Sequence, residues 1–212
     1  MKKRKTSIQK LKEFARQSNR NIDFSVKHCH GNALNPLIYN LRNLYITNNG
    51  GESSYFVCFG DSRKINEKST FSGVFFPISM CRSAKILIRK KNIKDIFNPF
   101  LSQSDYKTGN ESFDSQVVIE EFDSIGTNNI FKNLEIQELI CNSLEFDKRL
   151  KIGVNLVNAS FVPSLINRSH FGIFTTDSWF VEPEKIETLF SIAEEIRSHI
   201  IQLEEPKLEL HI

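Results

Sequence analysis

The chain has 212 residues and no long apolar run; no window approaches the roughly 18 apolar residues that cross a bilayer as a helix. Its opening, MKKRKTSIQKLKEF, is basic but lacks the apolar stretch of a secretory signal. These two absences predict a soluble cytoplasmic protein, whose basic start could touch the inner face of the membrane. Cysteine is scarce. Cys29, Cys58, Cys81 and Cys141 stand far apart with no CxxC pair, which argues against a disulfide frame and predicts buried, reduced thiols. There is no G-x-S-x-G, no P-loop and no H-E-x-x-H, so the common nucleophilic, phosphate-cradling and metalloprotease chemistries have no local signature. No RNP, KH or helix-turn-helix pattern is present either.

What the chain does have is an ordinary globular balance, 40% hydrophobic and 25% charged, and enough length for one sizeable core. Eighteen phenylalanines predict that aromatic volume fills that core. The net charge of +3 hides a segregated distribution. Residues 1–20 carry eight basic side chains against Glu13, and residues 82–94 carry six and no acid. Residues 111–147 hold nine acids against Lys132, and 177–205 hold eight against Lys185 and Arg197. Such asymmetry either steers an anionic partner or only marks solvated faces.

Periodicity predicts a short helix over Ser7–Gln17, with Ile8, Leu11 and Ala15 on one side. Strands follow at Ile22–His28, Leu41–Thr47, Ser53–Gly60, Phe71–Ile78, Ala84–Lys90 and Gln116–Phe122, and later at Leu150–Asn158 and His170–Thr176. Asn48, Asn49, Gly50 and Gly51 mark a hairpin turn, because Asn and Gly tolerate positive φ. A helix runs from about Asn129–Asn133 to Phe146, and a last one starts at Pro183, a favoured first-turn residue. Its stripe of Ile186, Leu189, Phe190, Ala193, Ile196 and Ile200 keeps the 3.6 period, while Glu187, Glu194, Glu195 and Arg197 are expected mostly on the solvent side. The economical fold is α+β, a mainly antiparallel sheet with helices packed on one face. Residues 1–20 read as a basic segment separable from a single domain over 21–212.

The stretch GNESFDSQVVIEEFD (residues 109–123) resembles a motif of uncharacterised bacterial domain-of-unknown-function families, Gly-polar-x-x-Phe-Asp leading into an alternating strand. Phe113, Asp114, Val117 and Ile119 occupy the motif positions, and a basic strand (Lys85–Lys91) precedes it as in those families. The likeness extends in element order over about residues 80–205. It implies a bacterial origin and a shared fold, and it supplies no catalytic residue. Members often carry membrane-spanning segments ahead of this domain, and this chain shows none. From the residues themselves, Phe113 reads as a core plug and Asp114 as an acceptor for nearby backbone amides. The alternative is an Asp114 and Asp123 carboxylate pair for acid–base or Mg²⁺ chemistry, without a third group beside it.

Two local features invite a sharper reading. In SVKHCHG (residues 25–31) the strand period puts His28 and His30 on the face of Ile22, Phe24 and Val26, and Cys29 on the other. Two imidazoles at that spacing can grip zinc, but a third ligand is needed, and His170 is the only candidate with a plausible position. The bland reading, half-buried imidazoles at the end of a sheet, requires no metal or other cofactor. The basic set Arg82, Lys85, Arg89, Lys90, Lys91 and Lys94, with the run Lys2–Lys5, is the candidate binding surface; Phe97, Phe100 and Tyr106 nearby could stack bases. The leading expectation is a non-catalytic interaction domain with a protein partner. A nucleic-acid-binding protein using residues 2–5 and 82–94 is the alternative, an anionic membrane surface is a further partner for the basic segments, and a metal-dependent enzyme is third.

Overall fold

The computed structural model describes residues 5–30, 38–49, 51–62, 70–93, 95, 106–122 and 129–204. Its strands are β1 (Ile22–Cys29), β2 (Tyr39–Asn48), β3 (Gly51–Asp61), β4 (Thr70–Ile78), β5 (Lys85–Lys90), β6 (Val117–Phe122), β7 (Lys151–Val154) and β8 (Ser169–Thr175). They form one sheet in the order β1-β2-β3-β4-β8-β7-β5-β6, and every neighbouring pair is antiparallel. The first four strands are a meander. β5 and β6 form the far edge, and β7 and β8, last in the chain, fill the space between.

Among the described residues there are four α-helices: α1 (Ser7–Gln17), α2 (Glu111–Gln116), α3 (Leu134–Phe146) and α4 (Pro183–Glu204). Their starts have local causes. Thr6 and Gln9 form a capping box, the Thr6 hydroxyl accepting from the Gln9 amide at 3.3 Å and the Gln9 side chain from the Thr6 amide at 2.9 Å. The Asn133 side chain accepts from the Ile136 amide at 3.0 Å and caps α3. Pro183 opens α4, where a missing N–H costs nothing.

The α+β expectation, an antiparallel sheet with helices on one face, describes this architecture. Strand alternation sends Leu44, Phe56, Val74, Phe76, Ile88 and Phe171 to the helix side, where they meet Leu11 and Phe14 of α1, Ile140 of α3, and Ile186, Phe190 and Ile196 of α4. The opposite face carries Tyr55, Val57, Phe71, Phe75 and Phe174, covered by Ala159, Val162 and Leu165 from the irregular segment between β7 and β8. Phenylalanine supplies much of the volume on both sides, as its abundance predicts.

Four expectations need correction. Within the segment read as separable, the described residues 5–20 are not peripheral: Leu11, Phe14 and Ala15 of α1 are buried in the main core, and Arg20 is buried as well. Sequence periodicity had paired Leu11 and Ala15 with Ile8, but it is Phe14 that completes the docked face. The strand foreseen over Leu150–Asn158 ends at Val154, because Asn155 takes a left-handed backbone (φ 54°). Its side chain there donates to the Ala84 carbonyl at 2.8 Å and accepts from the His170 amide at 3.0 Å, which ties the β4–β5 connection to β8. The stretch before β6 is a short helix, α2, rather than a turn, with Asn110 capping it. Finally, of the four free cysteines only Cys58 is fully buried; Cys81 is exposed.

Candidate interaction site at the open end of the sheet

The predicted site residues do not come together. His28 lies on the helix side of edge strand β1, exposed, with Nδ1 2.6 Å from the Asn40 side-chain oxygen. His30 is exposed just past the strand end. His170 sits on β8 and points to the other face, where its ring meets Phe75 edge-on and Nε2 lies 3.1 Å from the Val157 carbonyl. Four strand spacings, about 19 Å, and the sheet itself separate it from His28. Burial pushes the His170 pKa below its ordinary value, with partial opposition from hydrogen bonds to the Arg168 and Val157 backbone.

The basic segment is divided as well. Arg89 forks onto Asp95 at 2.7 and 2.9 Å and reaches Glu120, on the side away from the helices. The Arg89 hydrogen bonds hold Asp95 below the usual carboxylate range. Lys90 turns the other way and pairs with Glu145 of α3. Arg82 and Lys85 are exposed and Lys91 half-buried, whereas Lys94, Phe97 and Phe100 lie outside the described residues, as do Lys2, Lys3 and Arg4. Lys5 pairs with Glu13 at 2.6 Å. Asp114 accepts from the Thr108 amide, the Thr108 hydroxyl and the Gly109 amide at 3.0–3.2 Å, and Phe113 is buried. That is the structural role its residue types suggest; Asp123 lies outside the described residues.

Most remaining charges serve the packing. Arg20 reaches Glu187 at 2.7 Å and Asn49 at 2.9 Å while its guanidinium lies 4.3 Å from the centre of the Phe190 ring, so it joins α1, the β2–β3 turn and α4. Asp147 accepts from Arg149 and Lys185; the Arg149 hydrogen bonds outweigh burial and drive its pKa far below the usual carboxylate value. Glu194, expected on the solvent side, accepts from Asn48, Ser53 and Ser54. Burial alone would raise its pKa, but those three donors and Arg197 bring it below the ordinary value.

A cleft of about 610 Å³ remains at the end of β2, β3 and β4. Thr6, Ser7 and Ile8 at the start of α1 form one wall, Asn40, Arg42, Gly60, Asp61 and Thr70 the floor, and Asp177, Ser178 and Trp179 the other wall. The wall of Asp177, Ser178 and Trp179 is fixed by hydrogen bonds. Trp179 Nε1 donates to the Phe59 carbonyl at 2.8 Å, the Ser72 hydroxyl donates to the Ser178 carbonyl at 2.9 Å, and the Phe180 amide donates to the Ser72 hydroxyl at 2.9 Å. Arg42 is exposed within this frame, and His28 stands at its rim through Asn40. The cleft therefore offers one guanidinium, the carboxylates of Asp61 and Asp177, an indole, an amide and several hydroxyls, which suits hydrogen-bonded recognition of an extended polar chain.

None of these cleft residues was prominent in the sequence, because they come from five separated segments. The lone tryptophan beside Asp177 and Ser178 was the available signal. Compared with family models, curated proteins and solved structures, the chain matches none of them.

Proposed function

We propose that this protein is a non-catalytic interaction domain that binds an extended segment of a partner protein in the cleft at the end of its sheet. The observation that carries this reading is Arg42, an exposed guanidinium facing a wall of Asp177, Ser178 and Trp179 that hydrogen bonds hold in place. A guanidinium takes a carboxylate through two parallel hydrogen bonds, the hydroxyls of Thr6, Ser62 and Thr70 suit peptide groups, and the Trp179 ring supplies apolar contact. The nucleic-acid alternative draws on residues 82–94, but Arg89 and Lys90 face opposite sides of the sheet and are each engaged by carboxylates.

The test is affinity capture by the folded wild type and by Arg42→Glu, beside titration of a single-stranded oligonucleotide against salt. A protein held by the wild type and lost in the variant supports the reading. Oligonucleotide binding with a steep salt slope, unaffected by Arg42→Glu, would replace it with the nucleic-acid alternative.

A further inference from the structure

The two edges of the sheet are treated differently. At β6 the outer side is met by the chain itself, the Tyr106 amide donating to the Ile119 carbonyl at 3.1 Å. At β1 no described residue hydrogen-bonds the outer side. β1 is eight residues long, pairs with β2 in uninterrupted register, and contains no proline. Those are the properties of an edge that accepts another strand. It also carries Val26 at 40% exposure, beside half-buried Phe24.

The direction of the free groups follows from one bond. The Thr47 amide donates to the Asn21 carbonyl at 3.0 Å, so Asn21 turns its backbone toward β2. Backbone direction alternates along an antiparallel strand. Asp23, Ser25 and Lys27 therefore also face β2, whereas Ile22, Phe24, Val26 and His28 present N–H and C=O groups to the outside.

From this pattern we infer that the protein forms a two-fold dimer by pairing β1 with β1 of a second copy, antiparallel about Ser25. In that register Phe24 opposes the partner's Val26 and Ile22 opposes the partner's His28, so the outward-facing groups meet outward-facing groups. Asp23 opposes the partner's Lys27, and the two-fold axis makes that contact twice. It falls at a non-hydrogen-bonded position, where opposed side chains are closest. Shifting the register by two residues in either direction loses the Asp23–Lys27 match. The same shift sets Phe24 against Phe24 or Val26 against Val26. Charge and backbone direction thus select one arrangement, an isologous one, and it joins two eight-stranded sheets into one continuous sheet. The inference uses β1 alone and does not depend on what occupies the cleft.

The test uses the full chain and its oligomeric state by sedimentation over a concentration series. Asp23→Lys and Lys27→Asp should each weaken the dimer by about tenfold or more, because each turns two attractive pairs into two repulsive ones. The double exchange of both residues should restore it. Val26→Pro removes an outward N–H at an edge position that tolerates proline, and should leave a folded monomer. Amide exchange gives an independent readout. In the dilute monomer Phe24, Val26 and His28 should exchange quickly while Ser25 and Lys27 are protected, and the difference should vanish as the protein is concentrated. A folded wild type that stays monomeric throughout, or a dimer unaffected by the single charge changes, would overturn the inference.

Discussion

The helix face and the opposite face of the sheet both bury apolar side chains over the central strands, but they are closed by different means. On the helix side, regular elements bring interdigitating aliphatic and aromatic side chains onto the strands, with Ile186, Leu189, Phe190, Ala193, Ile196 and Ile200 of α4 all nearly inaccessible. On the other side an irregular segment with a single 3₁₀ turn does the covering, and the strands supply the shape. There the sheet carries Gly73, Gly153 and Gly172, and large side chains lie over the bare backbone. Phe75 covers Gly172, Phe174 covers Gly73, and Leu156 covers Gly153. The two rings stack with centroids 5.7 Å apart. A helix stripe can fill a face by volume alone; a loop can do so only where the surface beneath it has been hollowed to fit.

The largest effect should come from the helix face. Phe190→Ala removes a ring that is 2% exposed and takes away the nearer of the two aromatic rings, Phe190 and Phe14, that face Arg20. It should cost about 3–5 kcal/mol, read from the denaturant midpoint with the slope unchanged. Next, Gly73→Ala tests the hollow face. A β-carbon there would stand 2.1 Å from the Ile173 carbonyl oxygen, which is backbone and cannot swing aside, so about 3 kcal/mol should be lost by the same measurement. If Gly73→Ala proves neutral, the opposite face is as adaptable as the helix face and the contrast fails.

Smaller effects sharpen it. Glu194→Ala would leave Asn48, Ser53 and Ser54 without their common acceptor and should cost about 1.5–3 kcal/mol, although its place opposite the α4 stripe suggested a neutral surface position. The two faces should also respond to acid in separate windows. His170 has its folded pKa pushed below the ordinary 6.5, so the unfolded chain binds the proton more readily and stability falls as pH drops below about 6.5. Glu194 and Asp147 have depressed folded values, so their contribution is complete above the ordinary 4.5 and 3.8 and is lost only as pH falls further. His170→Phe should flatten the upper window and leave the lower one, as measured by melting temperature against pH. Least of all, Lys90→Ala breaks only an exposed pair with Glu145 and should shift stability by no more than about 0.5 kcal/mol.

Much of the fold was legible because local and tertiary preferences agree. The Thr6 capping box and the Pro183 start fix two helices at the residues where periodicity placed them, and Asn48 pairs with Gly51 at the predicted turn. What was hidden depends on pairings between distant segments. Nothing near Glu194 in sequence announces the three donors from the β2–β3 turn region. Arg20 looked like the end of a solvated basic run until α4 supplied Glu187 and Phe190. The segregated charges follow the same logic. Arg20 finds Glu187, Lys90 finds Glu145 and Arg89 reaches Glu120, so some members of the opposite blocks meet within the molecule. The cleft was the least legible, since the start of α1, β2, β3, β4 and the Asp177–Trp179 segment contribute between one and three residues each.

The insertion of β7 and β8 between strands made earlier has a consequence for synthesis. A growing chain completes β1–β4 and β5–β6 while the strands that join them are still to come. Until Lys151–Thr175 emerges, β4 and β5 each offer an open flank rich in β-branched and aromatic residues, and α4, which seals the meander from above, is later still. Such non-local closure favours folding on the millisecond-to-second scale over anything faster. It also leaves a nascent intermediate prone to pairing with its neighbours on a crowded polysome, so chaperone dependence should be set by how quickly the final third of the chain follows the rest.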